Sequence, residues 1–304
     1  MINTKLLNIL KKGLITIDKN EIIVEKQTEK QSNENIISKK RWEEIYNYDL
    51  KQLIKDRKDF DENKLLDHLK HIKNNNKFNK DTIYLEIGCG PAHIAEYLME
   101  KHDVYFIGID FNYEMLLTLK KYLDKKNYKK YMLIHGYIEK MPIKDNSIDV
   151  IYGGGVIEHD PDTVKTLTES YRVLKDGGKS LNTVPALNLF WLTRFFYSIP
   201  TLYPLRKIAE YIYLRVFKGK ILEKHYGYEL SFDKQNLKKA HKKAGFINSN
   251  IKNFYFHASP NVLKSKLLQN FYFSITKIKY FSPFYFIVAQ KPIKKHNDNT
   301  KPRK

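Results

Sequence analysis

The chain has 304 residues, 42% apolar and 13% aromatic, which excludes a wholly disordered protein and leaves room for one decorated domain or two compact ones. Lys and Arg number 54 against 34 Asp and Glu; the net charge of +20 favours anionic partners, nucleic acid or an acidic membrane surface, although the excess is mostly Lys spread among many Asn and Ile, which compositional drift explains as well as a functional patch does. A single cysteine, Cys89, excludes an internal disulfide and a cysteine-rich structural zinc site, and makes the reducing cytoplasm the expected location.

The N-terminus has too short an apolar stretch, and no small-residue cleavage site, for a signal peptide. A short apolar piece, Leu6 to Leu14, and a strand-like Glu21 to Val24 precede the loop-like run KQTEKQSNEN. From Lys40 to Ile72, apolar residues recur at helical spacing, as at Trp42, Ile45 and Tyr46 and again at Leu65, Leu66, Leu69 and Ile72. This predicts two or three helices, with Asp61 as a cap, and makes 1–75 a mostly helical N-terminal extension.

Beyond the polar KNNNKFNKD, β-type runs at 83–88, 104–110, 131–136, 148–154 and 179–185 alternate with helical patterns over His93 to Glu100, Tyr113 to Leu123 and Thr163 to Leu174. That alternation predicts an α/β fold, a doubly wound parallel sheet covered on both faces. Asp176-Gly177-Gly178 supplies glycines suited to ending the third helix in a left-handed conformation. The order then breaks. Residues 186–230 are aromatic, basic and punctuated by proline, and read as an inserted cap; a helix over Asp233 to Ala244 and β segments near Ile247 to Phe256 and Phe284 to Gln290 complete the domain at 76–292. The stripe FYFSITKIKYFSPFYFIVAQKP reads as a buried strand pair, and the basic tail 293–304 as disordered. Leu187 to Phe217 carries Arg194, Pro200, Pro204, Arg206, Lys207, Glu210 and Arg215, so it suits lying on a bilayer and not crossing one.

The most informative segment is YLEIGCGPAHIAEYL, Tyr84 to Leu98, a strand entering a glycine turn and then a helix. Gly88 and Gly90 let the backbone approach a ligand, but His93 stands where the dinucleotide fingerprint needs its third glycine, and the Gly-Lys-Ser/Thr ending of a phosphate loop is missing. A carboxylate at Glu86 would repel a pyrophosphate and welcome a cation, which points to a cofactor joining adenosine to a positive centre.

From about Tyr84 to Pro185, with a weaker echo to Gln290, the chain resembles the class I S-adenosylmethionine-dependent methyltransferases of the small-molecule, quinone and lipid type. The resemblance rests on the glycine turn, on Asp110 closing IGID, on HGYIEKMPIKDNSIDVI and on IYGGGVIEHDPDTVKTLTESYRVLKDGGKSLNTVP, in the family's order. It implies a Rossmann-like sheet, S-adenosyl-L-methionine as cofactor, and a cofactor shell of Glu86, Gly88, Cys89, Gly90, Asp110, Phe111, Tyr137, Ile138 and Gly153, with Asp110 accepting from the ribose hydroxyls. The adenine loop departs from the family. Where many members carry an acidic residue for the adenine amino group, this chain has Gly136, Tyr137 and Ile138, which leaves adenine to backbone groups and stacking. The N-terminal LLNIL, turn, strand and WEEIY resemble a zinc-ribbon appendage without its cysteines.

Methyl transfer from a sulfonium is an in-line displacement that alignment and exclusion of water can accelerate, and a base is needed only if the acceptor holds its proton. Glu158 and His159, just past the fourth strand, are the catalytic candidates, with anchoring of the loop as their alternative role; no metal cluster surrounds them. In the insertion, His225, Tyr226 and Tyr228 are candidates for acceptor contacts, and packing onto the sheet is the other use for its aromatics.

The leading function is methylation of a small-molecule or lipid-like acceptor at oxygen, nitrogen or carbon, in a cytoplasmic protein with peripheral contact to anionic membrane as a further expectation. RNA methylation stays open on charge, against the lack of a Pro-Pro-aromatic turn and of an accessible cysteine nucleophile, as does a non-catalytic binding protein on the same fold.

Overall fold

The computed structural model describes residues 2–26, 33–59, 62–188, 199–200, 230–254 and 266–293. Its organising strand is β3 (Ile83–Ile87), buried along its whole length, as a continuous apolar run must be when both faces of the sheet are covered. Strand alternation sends Ile83, Leu85 and Ile87 into one core and Tyr84 into the other. On one side of β3 lie β4 (Tyr105–Asp110) and β5 (Tyr131–His135), and on the other β6 (Ile148–Gly154) and β7 (Leu174–Pro185), all parallel. Beyond β7, β11 (Phe284–Gln290) and β10 (Ile247–Phe254) add antiparallel pairings.

The extension contributes α1 (Thr4–Leu7), the hairpin β1 (Ile15–Ile17) and β2 (Ile23–Glu25), and helices α2 (Asn33–Ile45), α3 (Leu50–Asp59) and α4 (Glu62–Asn75). Among the described residues the main sheet runs β1-β2-β5-β4-β3-β6-β7-β11-β10, a doubly wound Rossmann-like order. One core holds Leu6, Leu10, Ile23, Ile107, Ile109, Leu167 and Leu237, under α7 (Thr163–Val173) and α8 (Lys234–Lys243). The other holds Leu53, Leu69, Ile72, Leu98, Phe106 and Leu119, under α3, α4, α5 (His93–His102) and α6 (Tyr113–Lys125). Helix starts follow their capping residues: the side chains of Asn112, Asp162 and Asp233 accept from the amides of Met115, Lys165 and Asn236.

Several expectations change. The strand near Val24 is part of the main sheet: β2 pairs parallel with β5, Ile23 opposite Ile134, with Ile23 fully buried. Helix α7 stops at Val173, before the glycines, because Leu174 is already extended and pairs with Ile148; Gly177, at φ +79°, sits in the irregularity that follows, its amide donating to the Lys291 carbonyl. The aromatic stripe is only half strand, since Lys266–Thr276 forms a helix, α9, leaving Phe284–Gln290 as β11. Of the insertion, β8 (Ile199–Pro200) pairs parallel with β9 (Leu230–Ser231). His225, Tyr226 and Tyr228 lie outside the described residues, as does the tail from 294 on. Among the described residues no helix is long and apolar enough to cross a membrane.

Candidate active site

The strand order reverses between β3 and β6, and the carboxyl ends of strands diverging at such a point open a crevice. Here it is a cavity of about 130 Å³ lined by Gly88, Asp110, Phe111, Asn112, the 136–139 loop, Gly154 to Val156, His159 and Asp160.

Its floor is the glycine turn. Gly88 has φ +56°, and a Cβ there would lie 2.7 Å from Val156 Cγ2, so both the backbone conformation and the close packing of Val156 require glycine. Asp110 ends β4 and is buried; its Oδ2 accepts from the Gly90 amide at 2.9 Å and its Oδ1 from the Asn112 amide at 2.9 Å. Burial pushes its carboxyl above the usual range, opposed by the amides of Asn112, Gly90 and Phe111. Each oxygen keeps further acceptor capacity on a side chain that lines the cavity, suited to a pair of hydroxyls.

The roof comes from the extension. Trp42 and Tyr46, one turn apart near the end of α2, stack at 5.6 Å between centroids, and Trp42 meets the His159 ring edge-on at 5.2 Å. A Cβ on Gly90 would sit 3.7 Å from the Tyr46 ring. Helix α3 fastens the turn from behind: Arg57 donates to the Pro91 carbonyl and to Glu96, and His93 Nε2 lies 3.1 Å from Asp56. Helical periodicity located Trp42 and Tyr46 as core formers; that they face a cavity depends on where α2 lies across the sheet end.

The 136–139 loop is also completed from afar. Glu25, in β2, accepts from the Tyr137 amide at 2.9 Å, and its carboxylate occupies space that a Cβ on Gly136 would contest at 2.6 Å. A carboxylate thus reaches this loop from 112 positions away in the chain.

The sequence-derived shell divides. Gly88, Asp110, Phe111, Tyr137, Ile138 and His159 come together around the cavity. Cys89 is buried with its sulfur where a Cβ on Gly108 would clash at 2.8 Å, and Gly90 acts through its amide to Asp110; neither lines the cavity. Gly153 packs on Ile87 and Asn182, and its neighbours Gly154 and Gly155 reach the site instead. Glu158 is buried beside the cavity and is not part of its lining. Among the described residues no group of His, Cys, Asp and Glu could hold a metal ion.

The Methyltransferase domain family matches residues 85–181. Over 192 residues the chain is 30% identical to a demethylmenaquinone methyltransferase of Anoxybacillus flavithermus, covering 58% of this chain and 75% of that protein. This chain belongs to the class I S-adenosylmethionine-dependent methyltransferases. It is 39% identical over 135 residues to the chloroplastic 2-methyl-6-phytyl-1,4-hydroquinone methyltransferase of Spinacia oleracea, over 44% of this chain and 38% of that one. The chain therefore spans well under two thirds of the length of that second relative. A Haemonchus contortus phosphoethanolamine N-methyltransferase 2, solved with phosphomonomethylethanolamine and S-adenosylhomocysteine, shares the fold at a TM-score of 0.51 and 20% identity, over 74% of this chain and 52% of that one.

In this methyltransferase Glu86 plays a different part from the one its position before the glycines suggested. It lies on the Tyr84 face of β3, accepts from the Tyr84 hydroxyl at 3.2 Å and from the Ala95 amide, and does not line the cavity. Burial pushes its carboxyl up to about 8, so near neutral pH it is mostly uncharged and ties the strand to the start of α5.

Proposed function

We propose that this methyltransferase uses S-adenosylmethionine to methylate a small, planar, hydroxylated aromatic acceptor of the lipid-tailed kind. The observation that carries the reading is the aromatic roof, Trp42 against His159, above a floor of Gly88 and Asp110. The names of the relatives matched over 192 and 135 residues, a demethylmenaquinone and a hydroquinone methyltransferase, support it.

The residues present fit the cofactor. The Gly88 backbone at the cavity floor, the Asp110 carboxylate held by two amides, and Phe111, Tyr137 and Ile138 at the wall are the groups that would hold it. Bound there, S-adenosylmethionine supplies an electrophilic methyl on a cationic sulfur. The chain's own work is positioning, closure against water and removal of a proton. Trp42 and Tyr46 present flat apolar faces that orient a ring and exclude water. His159 is held in a short turn by the hydrogen bond its amide donates to the Val156 carbonyl, and its imidazole would accept the hydroxyl proton of the acceptor.

Calorimetric titration with S-adenosylmethionine and S-adenosylhomocysteine, followed by transfer of labelled methyl to a demethylated quinol, tests this reading. Binding of both ligands and labelling of the quinol support it; folded protein that binds neither, or binds both and leaves the quinol unlabelled, overturns it. Within the same assay Asp110→Ala is expected to weaken cofactor binding by about 1–3 kcal/mol, the worth of hydrogen bonds to a charged group. Trp42→Ala is expected to raise KM for the acceptor roughly 2- to 10-fold with cofactor affinity unchanged, as loss of one aromatic contact implies.

A further inference from the structure

The net charge of +20 is not evenly distributed. From Lys234 to Asn297 the chain carries thirteen Lys and no Arg, Asp or Glu, so this stretch alone accounts for +13. Within it, α9 and the turn after it leave large apolar side chains in water: Leu267 is 78% exposed and Phe271, one helical turn on, 63%. Ile278 and Tyr280 follow at 49% and 59%, between the exposed Lys277 and Lys279. Isolated exposed apolar residues are ordinary, but four within fourteen positions, interleaved with cations only, form a patch with a specific chemistry.

Neighbouring elements reinforce the charge. The Lys234 ammonium, at the start of α8, is pushed below its usual range by burial and then by the charges of Lys279 and Lys238, which places these cations in one field. Lys279 lies over the Tyr280 ring at 5.6 Å, and Asn253 donates to the Lys279 carbonyl at 2.8 Å, fastening the turn to β10. The patch also has a defined place in the fold. Pro185, at the carboxyl end of β7, pairs with Phe284, which pairs with Phe254 at the carboxyl end of β10. The turn leading into Phe284 therefore stands at the end of the sheet where the cavity opens.

We infer that α9 and the turn 277–283 form a docking surface for an anionic lipid bilayer, with Leu267, Phe271 and Ile278 entering the interface and Lys277 and Lys279 meeting the lipid phosphates. Apolar side chains gain by leaving water at the headgroup boundary, and the Lys excess is attracted by the negative surface potential. Neither contribution alone selects a membrane; a nucleic acid would use the lysines and leave the aliphatic Leu267 and Ile278 in water. Docking this way turns the cavity end of the sheet toward the lipid. That last consequence rests on the lipid-tailed acceptor proposed above, whereas the docking itself does not.

Co-sedimentation of the full chain with phosphatidylcholine vesicles, with and without phosphatidylglycerol, tests the surface. The chain is expected to pellet with the anionic vesicles, less at high salt, and to stay in solution with the neutral ones. Leu267→Ser with Phe271→Ser, and separately Lys277→Gln with Lys279→Gln, are each expected to lower the partition coefficient about tenfold or more. Cofactor affinity, measured by calorimetry on the same proteins, is expected to be unchanged, which separates failure of the surface from failure of the fold or of the methyltransferase reading. The proposal is overturned by a parent chain that does not pellet with anionic vesicles, or by an apolar double variant that pellets like the parent. It is overturned equally if the lysine variants weaken binding of single-stranded RNA while vesicle binding is the same in all three proteins.

Discussion

Replacing His159 by alanine is expected to lower kcat roughly 100- to 10,000-fold, the contribution of a well-placed general base, while the affinity for S-adenosylmethionine stays within about a factor of two. The expectation follows from position: His159 lines the cavity at the carboxyl end of β6, against the Trp42 ring that forms the roof. Asp110 and the glycine turn, which would hold the cofactor, lie on the floor and do not depend on the imidazole. Single-turnover rates with labelled methyl, beside cofactor titrations of the same protein, separate the two effects. His159→Gln keeps a polar side chain of similar reach but has no basic nitrogen, so it should be as slow as the alanine variant. A glutamine variant with parental kcat would make His159 a positioning residue only. An alanine variant that loses cofactor binding in parallel with kcat would assign it to the cofactor's methionine end, the alternative its place in the sequence leaves open.

The second large effect concerns stability. Glu86 has its folded-state value pushed up to about 8 by burial, against an ordinary 4.5. Below the ordinary value both folded and unfolded chains hold the proton, and the contribution of Glu86 to stability is fully present. As pH rises above it the unfolded chain gives up the proton first while the folded chain keeps it, so this contribution declines and is lost as pH passes the folded value. The loss is on the order of 2–5 kcal/mol across that window. Glu86→Gln replaces the carboxyl with an uncharged group of nearly the same shape that still accepts from Tyr84 and Ala95. Urea unfolding at pH 5, 7 and 9 should therefore show a parent that loses stability relative to the variant as pH rises, with the largest gap at pH 9. Parallel curves would mean that Glu86 is ionised in the folded protein and has a charged partner instead.

Much of the fold was legible locally. The strand expected at 148–154 is observed as Ile148–Gly154, and the helix expected over Asp233 to Ala244 is observed as Lys234–Lys243 with Asp233 as its cap. Alternation, β-branched runs and capping residues act over a few positions, so they are written in short stretches of chain. The glycine turn and Asp110 were legible for the same reason: both belong to a strand-to-helix or strand-to-loop connection whose chemistry is contiguous. Errors came where a local pattern had two outcomes. Gly153 and Gly155 look alike in IYGGG, and only the packing of Gly153 on Ile87 and Asn182 shows that the ladder extends past it before the chain turns into the cavity. Lys266–Thr276 carries aromatic residues suited to a strand, yet it forms a helix, with the Ser274 hydroxyl donating to the Asn270 carbonyl one turn back.

The amino-acid sequence by itself determined the class of fold, the order of its central strands and helices, the glycine turn and the acidic end of the strand before the cavity. All of these follow from interactions between residues close together in the chain. Only the tertiary structure decided that Trp42 and Tyr46 roof the cavity, that Glu25 supplies a carboxylate to the 136–139 loop, that Glu86 faces the core beside Tyr84, and that Leu267 and Phe271 remain in water beside a field of lysines. Each of these is a meeting between elements distant in sequence, set by which face of a helix or strand the shared core takes up, and hydrophobic burial is blind to sequence separation.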